Sequence, residues 1–460
     1  MKSMSANSAR LCALATMCAS IHALGCGGGG GSAGGGGGGG GASAPDGTQT
    51  AQVAFGSHPQ AYQGGVLRPS GAQAALDDVI RQKYKAWKAN FLIKGCGGYY
   101  VCANEVTGRC VNDGAALVPT GGKGADGLPL DMELIVSEGH GYGMLLAALM
   151  AGEDPEARDI FDGMVAVRDH FTSPYDVHLM TWKILAGCAP PDAADNDAAT
   201  DGDLDSAFAF LLAAKQWQSP SYRQRGLDLI DAILNREMNV QTHLPLLGDW
   251  ANPSDDQKSY YSTRLSDDMP DHFRVFATAT GRADWNASVT AVYALMNRMQ
   301  TMFSPMTGLV PDFVKGTDGD STPVAVSEAD MLLMEQLTTD YDYNACRVPW
   351  RLGTDLAVNG EPAATTVLGK LNTFIKTKTG GDPAKILDGY SLAGDAHTNA
   401  GPNGCFTGGF GVAAMSDPGS QAWLDAIWNQ LANQKESDGY FGDTVSLLAM
   451  IVMSGNWWAP

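Results

Sequence analysis

From about Ala72 to Pro460, apolar residues recur three and four positions apart, the period of a helix with one buried face. The spacing predicts helices over Asp77–Phe91, Tyr142–Gly152, Glu156–Phe171, Leu204–Trp217 and Ser221–Glu237. It predicts further helices over Ala287–Phe303, Trp350–Asn359, Ala364–Thr377, Ser420–Lys435 and Asp443–Ser454. Loops rich in Gly, Asp, Pro and Asn separate them, as at Ala189–Thr200 and Lys315–Pro323. Alternating strands are few; Gly97–Val106 is the best candidate and reads as a hairpin. About ten to twelve helices with short connections make an all-α fold of paired helices. Residues 72–460 read as one domain without an internal linker.

The first 71 residues do not share this pattern. Lys2 and Arg10 lead into the apolar run Leu11–Leu24, followed by Gly25 and Cys26, so residues 1–26 read as an export signal. Cys26 resembles the cysteine of a bacterial lipobox, which implies lipidation and attachment to a membrane at the cell surface. A plain cleaved secretory signal is the alternative. Gly27–Gly41 is almost pure glycine, and polar sequence continues to about Ser70, so residues 27–71 read as a flexible tether.

Composition adds limits. The net charge of −20 argues against a nucleic-acid partner, whose binders are basic. It is compatible with a cationic polymer. Six cysteines lie beyond the leader: Cys96, Cys102, Cys110, Cys188, Cys346 and Cys405. In an exported protein they can be bridged, and the first three favour a local disulfide. They lack the spacing of a zinc site and have no nearby His. A monomer is the default expectation.

Three stretches carry candidate chemistry. Ser137-Glu138-Gly139-His140-Gly141-Tyr142-Gly143-Met144 sets one carboxylate among glycines at the mouth of an apolar helix. A carboxyl desolvated there keeps its proton near neutral pH, as a general acid requires. The plainer reading is a glycine-rich loop with a capping Glu. Ala199-Thr200-Asp201-Gly202-Asp203-Leu204-Asp205 opens the next helix, where Thr200 or Asp201 can cap it. Its alternating acids also fit a calcium loop, but the following Gly and distal Glu are missing. Asp340-Tyr341-Asp342-Tyr343-Asn344-Ala345-Cys346-Arg347 crowds acids, aromatics and Arg before Trp350-Arg351. With Tyr99, Tyr100, Trp182, Trp250, Tyr260 and Tyr261, these aromatics favour a carbohydrate groove over a simple packed loop.

Together the three stretches resemble glycoside hydrolase family 8. Ala199, Thr200, Asp201, Gly202, Asp203, Ala207, Ala209, Ala213 and Trp217 fall at the family's signature spacings, with departures at Ser206 and Phe210. Tyr343–Arg351 and the ending Met453-Ser454-Gly455-Asn456-Trp457-Trp458 are also similar. The resemblance implies an (α/α)6 barrel with an open cleft for a β-1,4-linked polysaccharide, hydrolysed with inversion. Inversion needs an acid and a base separated by ~6.5–9.5 Å. By the resemblance Glu138 is the acid, and Asp201 holds the water and the central sugar.

The base departs from the commoner pattern. Where many members carry Asp, this chain has Asn344, and an amide is no useful base. It is similar here to the licheninase and chitosanase subfamily, whose base is a Glu of the preceding loop. That implies Glu335, with Glu328 as the fallback; Asp340 and Asp342 are nearby. Tyr343, Asn344, Arg347 and Trp250 are the expected substrate contacts. No metal or cofactor is required. The favoured substrate is a cellulose-type or mixed-linkage β-glucan, then chitosan. The rival class is a surface glycan-binding protein that has lost its base.

Overall fold

Two kinds of helix alternate along the chain. The structure is a computed structural model, and it describes residues 46–103 and 133–460, apart from 186–187, 194, 255–256, 331, 333–337 and 398–400. The first kind is amphipathic: α1 (Gln73–Phe91), α3 (Ala157–His170), α5 (Pro220–Arg236), α8 (Asp284–Phe303), α10 (Pro362–Thr379) and α12 (Gln421–Asn433). In α5, Tyr222, Gly226, Leu229, Ile230 and Ile233 are buried and form one stripe, while the other face is polar. The second kind is buried over most of its surface: α2 (Ser137–Leu149), α4 (Thr200–Trp217), α7 (Pro270–Thr280), α9 (Val348–Asn359), α11 (Gly404–Ala414) and α13 (Gly439–Met453). A single-turn helix, α6 (Gln257–Tyr260), completes the set.

The buried helices close a ring. α2 packs on α4, α4 on α7, α7 on α9, α9 on α11, α11 on α13, and α13 returns to α2. Outside them α3, α5, α8, α10, α12 and α1 pack on α2, α4, α7, α9, α11 and α13 respectively. This is the expected (α/α)6 barrel. The ten helices predicted from periodicity are present, with ends shifted by a few residues. α7 and α11 were not foreseen.

The glycines of the first motif serve the ring rather than a loop, because Ser137–Met144 is helical from its start. A Cβ on Gly141 would lie 2.8 Å from the Gly202 carbonyl, and one on Gly202 would lie 2.4 Å from the Ser137 carbonyl carbon. α2 and α4 therefore touch backbone to backbone where their first turns meet.

Strands are short. β1 (Leu92–Gly95) pairs with β2 (Gly98–Val101), β3 (Glu133–Val136) with β4 (Lys183–Leu185), and β6 (Phe313–Lys315) with both β5 (Ser262–Arg264) and β7 (Val324–Ala325). The expected hairpin thus lies earlier than Gly97–Val106, turning at Cys96 and Gly97, both at positive φ. Cys96 is bridged to Cys188 and Cys346 to Cys405. The first bridge corrects the expectation of a local bond for Cys96: the hairpin turn aims it at the β4 side. Cys102 is also disulfide-bonded. Cys26 and Cys110 lie outside the described residues.

Residues 46–71 differ from the tether expected of them. Their amides donate to carbonyls at the C-terminal ends of inner helices: Thr48 to Trp217, Phe55 to Ala151, Gln60 to Gly455, Gln63 to Ala357 and Leu67 to Met415. A helix leaves its last carbonyls unpaired, and this polar strap pairs them. Its polar composition hid that role, because the bonds come from the backbone. Among the described residues no helix is long and apolar enough to cross a membrane.

Candidate active site

The first turns of the inner helices converge opposite the strap. Glu138 lies in the first turn of α2, Asp201 in that of α4 and Tyr440 in that of α13, while Arg347 immediately precedes α9. Helix N-termini favour negative charge, which suits a rim of carboxylates.

Arg347 Nη1 pairs with Glu138 Oε1 and lies 3.4 Å from Asp201 Oδ2. Tyr142 donates to Glu138 Oε1 at 3.3 Å, one helical turn on, and Tyr440 donates to Oε2 at 3.2 Å. Glu138 thus sits among a guanidinium and two phenols, a more polar setting than the apolar one its sequence implied. Its side chain is 14% exposed, whereas those of Asp201 and Arg347 are 2% exposed. Glu138 is the member of this cluster open to a ligand. Burial, with Arg351 nearby, pushes the Arg347 guanidinium down to about 9.

Asp201 caps nothing through its side chain beyond its neighbour: Oδ1 accepts from the Gly202 amide at 2.9 Å. Its Oδ2 is held by Arg264 Nη1 at 3.0 Å, from the end of β5. The other acids of that motif are engaged by cations of the protein. Asp203 pairs with Arg168, and Asp205 binds Arg351 (2.6 and 2.8 Å) and His272 Nε2 (3.0 Å). These pairs account for the alternating acids without a calcium loop.

Asn344 is half-buried between two partners. Its Oδ1 accepts from Arg347 Nη2 at 2.8 Å, and its Nδ2 donates to Asp312 Oδ2 at 3.2 Å. Tyr343 beside it is 41% exposed. Its hydroxyl donates to Asp388 at 2.7 Å and its ring packs edge-on to Phe406 at 5.3 Å. Such a braced, open aromatic face can stack on a sugar ring. Trp250 is half-buried against Leu247, Phe313, Val326 and Leu332. Of the other aromatics, Tyr100 and Tyr260 are buried and are corrected to core residues; Tyr99, Trp182 and Tyr261 are half-buried.

Glu335 lies outside the described residues. Glu328 is exposed and heads the short turn Glu328–Asp330. The segment bearing Glu335 has both flanks held by one stretch: Leu332 packs on Phe313, and the Asp312 amide donates to the Asp340 carbonyl at 3.1 Å. Sequence reasoning missed Arg264, Asp312 and Tyr440. Tyr142 stood within the first motif but was given no role there.

Comparisons with known proteins agree with this arrangement. Residues 131–455 match the family described as Glycosyl hydrolases family 8. The beta-glucanase of Niallia circulans is 36% identical over 402 residues, covering 86% of this chain and 89% of that protein. The endoglucanase of Bacillus sp. (strain KSM-330) is 35% identical over 413 residues, covering 87% and 81%. The apo beta-1,3-1,4-glucanase structure from Paenibacillus sp. X4 superposes with a TM-score of 0.76 at 35% identity, covering 91% of this chain and 100% of that one. With its ring of paired helices and its Glu138–Arg347–Asp201 cluster, the chain belongs to family 8 of the glycosyl hydrolases.

Proposed function

We propose that the protein is an inverting endo-hydrolase of a β-1,4-linked glucan, with mixed-linkage β-1,3-1,4-glucan the first substrate and cellulose-type chains the next. The observation that carries this reading is the carboxyl of Glu138, 14% exposed, beside Asp201 and Arg347, each 2% exposed. The similarity to two glucanases over most of the chain supports the substrate class.

In this reading Glu138 is the general acid. The leaving oxygen of the sugar displaces Arg347 Nη1 toward Asp201 Oδ2, already 3.4 Å away. Freed of its cation, Glu138 takes up a proton from solvent, keeps it in the cleft closed by the polymer, and delivers it to the leaving oxygen. Glu335 is the general base that takes the proton of water on the opposite face, with Glu328 the fallback. Asp201, fixed by Arg264, orients that water and the distorted sugar. Tyr343 and Trp250 are the aromatic contacts, and Asn344 and Arg347 the polar ones. Asn344 in the usual place of the base supports reading the chain as a member of the subfamily whose base is a loop Glu.

Chitosan is the second reading. Burial first, then the hydrogen bond to Asp388 and the charges of Asp388, Asp342 and Asp438, raise the Tyr343 phenol, and these acids can meet ammonium groups. Rates on lichenan, carboxymethylcellulose and chitosan, measured side by side, decide between them. Glu138→Gln and Glu335→Gln are each expected to lower kcat by roughly 100-fold or more, with the product anomer inverted in wild type. Full activity in Glu335→Gln with loss in Glu328→Gln moves the base; sugar binding without any chain cleavage in wild type leaves only a glycan-binding protein.

We also read residues 1–26 as an export signal, with Cys26 a lipidation site, and the glycine-rich run after it as a tether. The disulfides support an oxidising compartment. We read the protein as a monomer at the cell surface, with plain secretion the alternative.

A further inference from the structure

We infer that Asp312 is a positioning residue, which fixes the orientation of the Asn344 amide and through it the aim of Arg347 at Glu138 and Asp201. The inference rests on the hydrolase reading of that cluster.

Asp312 stands just before β6 and is itself anchored. Its amide donates to the Asp340 carbonyl at 3.1 Å, and its carbonyl accepts from the Leu265 amide at 3.2 Å. Its carboxylate gathers three donors: the amides of Ala345 (2.7 Å) and Asp342 (3.1 Å) on Oδ1, and Asn344 Nδ2 (3.2 Å) on Oδ2. A carboxylate offers only acceptors, so it dictates which end of the Asn344 amide faces it. The oxygen of Asn344 is thereby turned to Arg347 Nη2 at 2.8 Å. Arg347 Nε also donates to the Asn344 carbonyl at 3.3 Å, so one residue holds the guanidinium along its Nε–Nη2 edge. Nη1 is left for Tyr142, Asp201 and Glu138.

The same geometry gives a reason for Asn at position 344. An Asp there would set two carboxylates acceptor to acceptor in the place of the 3.2 Å hydrogen bond, and they would have to share a proton. Carboxylate at 312 and amide at 344 are complementary, and so is the reverse pair. Neither of the like pairs is: two carboxylates meet acceptor to acceptor, and two amides clash donor to donor at one end or the other of the relay, since Arg347 has no acceptor.

This predicts a reciprocal exchange. Asp312→Asn and Asn344→Asp are each expected to lower kcat by roughly 10- to 100-fold on soluble mixed-linkage glucan, with KM moved by less than about threefold. The double variant Asp312→Asn/Asn344→Asp is expected to recover to within about fivefold of wild type. Losses that simply multiply in the double variant overturn the inference. If the single variants do not fold, recovery of a folded, active double variant supports the pairing, and an unfolded double variant overturns it. The same cycle read by thermal unfolding needs no substrate, so the pairing and the glucan activity fail separately.

Discussion

Tyr440 donates its phenolic proton to Glu138 Oε2 at 3.2 Å, joining the last inner helix of the ring to the first. The bond makes the placement of Glu138 depend on ring closure. A single neutral hydrogen bond is worth about 0.5–1.5 kcal/mol. Tyr440→Phe is therefore expected to lower kcat by roughly two- to tenfold. Steady-state kinetics on lichenan would check this, and a loss as deep as that of Glu138→Gln would show Tyr440 to be part of the chemistry itself.

Gly202 sets the separation of the two acid-bearing turns. A methyl there would press on the Ser137 backbone at 2.4 Å, one residue before Glu138. Backbone cannot yield as a flexible side chain can. Gly202→Ala is expected to cost about 1–3 kcal/mol as overpacking and to reduce kcat by more than tenfold, because α2 and α4 must part at the site. A variant that melts with wild type and keeps full activity would refute the argument.

Stability is expected to be highest in mild acid. Burial first, then Asp355 and Asp201 respectively, pushes Asp271 and Asp267 up to about 7, and burial lifts Asp268 well above its ordinary range. In the unfolded chain such groups lose their protons near pH ~4. Between there and about pH 7 the folded protein holds more protons, so its stability falls as pH rises. Two imidazoles oppose this: burial pushes His140 down to about 4 and also lowers His272. They stay neutral when folded, so stability falls as pH drops below about 6.5. Asp203 and Glu237 are raised by burial as well, so the carboxyls outweigh the two imidazoles and stability falls as pH rises from about 5. Carboxylates held below their ordinary range, such as Asp154 and Asp330, lose their contribution below about pH 4, which sets the maximum near pH ~4–5. A Tm at about pH 8 equal to or above that at about pH 5.5 would contradict the balance.

The outer ring was legible in the sequence because each outer helix shows water a polar face. The inner ring was less so. α11 reads GCFTGGFGVAA, apolar and glycine-rich on every side, so no stripe marks it and its propensity is poor. α7 is short and begins with Pro-Asp-His, which reads as a loop. The site divides in the same way. Glu138, Asp201 and Arg347 stand in dense local stretches. Arg264, Asp312 and Tyr440 are each isolated in sequence and reach the cluster only when the ring closes. Asn344 stood out only against the family resemblance, and its neighbour at Asp312 could be found only through space.

The strap of residues 46–71 has a consequence for the order of folding. The Tyr62 hydroxyl donates to the Val452 carbonyl at 2.7 Å and the Gln60 amide to the Gly455 carbonyl at 2.7 Å. The earliest part of the domain to be synthesised therefore binds some of the last residues made. The part from Gln60 to Tyr62 cannot dock until the final helix has emerged. Contacts of such sequence separation are slow to form. Docking of the whole strap is then a late event of maturation, and it reports that the five inner helices it bonds, α2, α4, α9, α11 and α13, are in place.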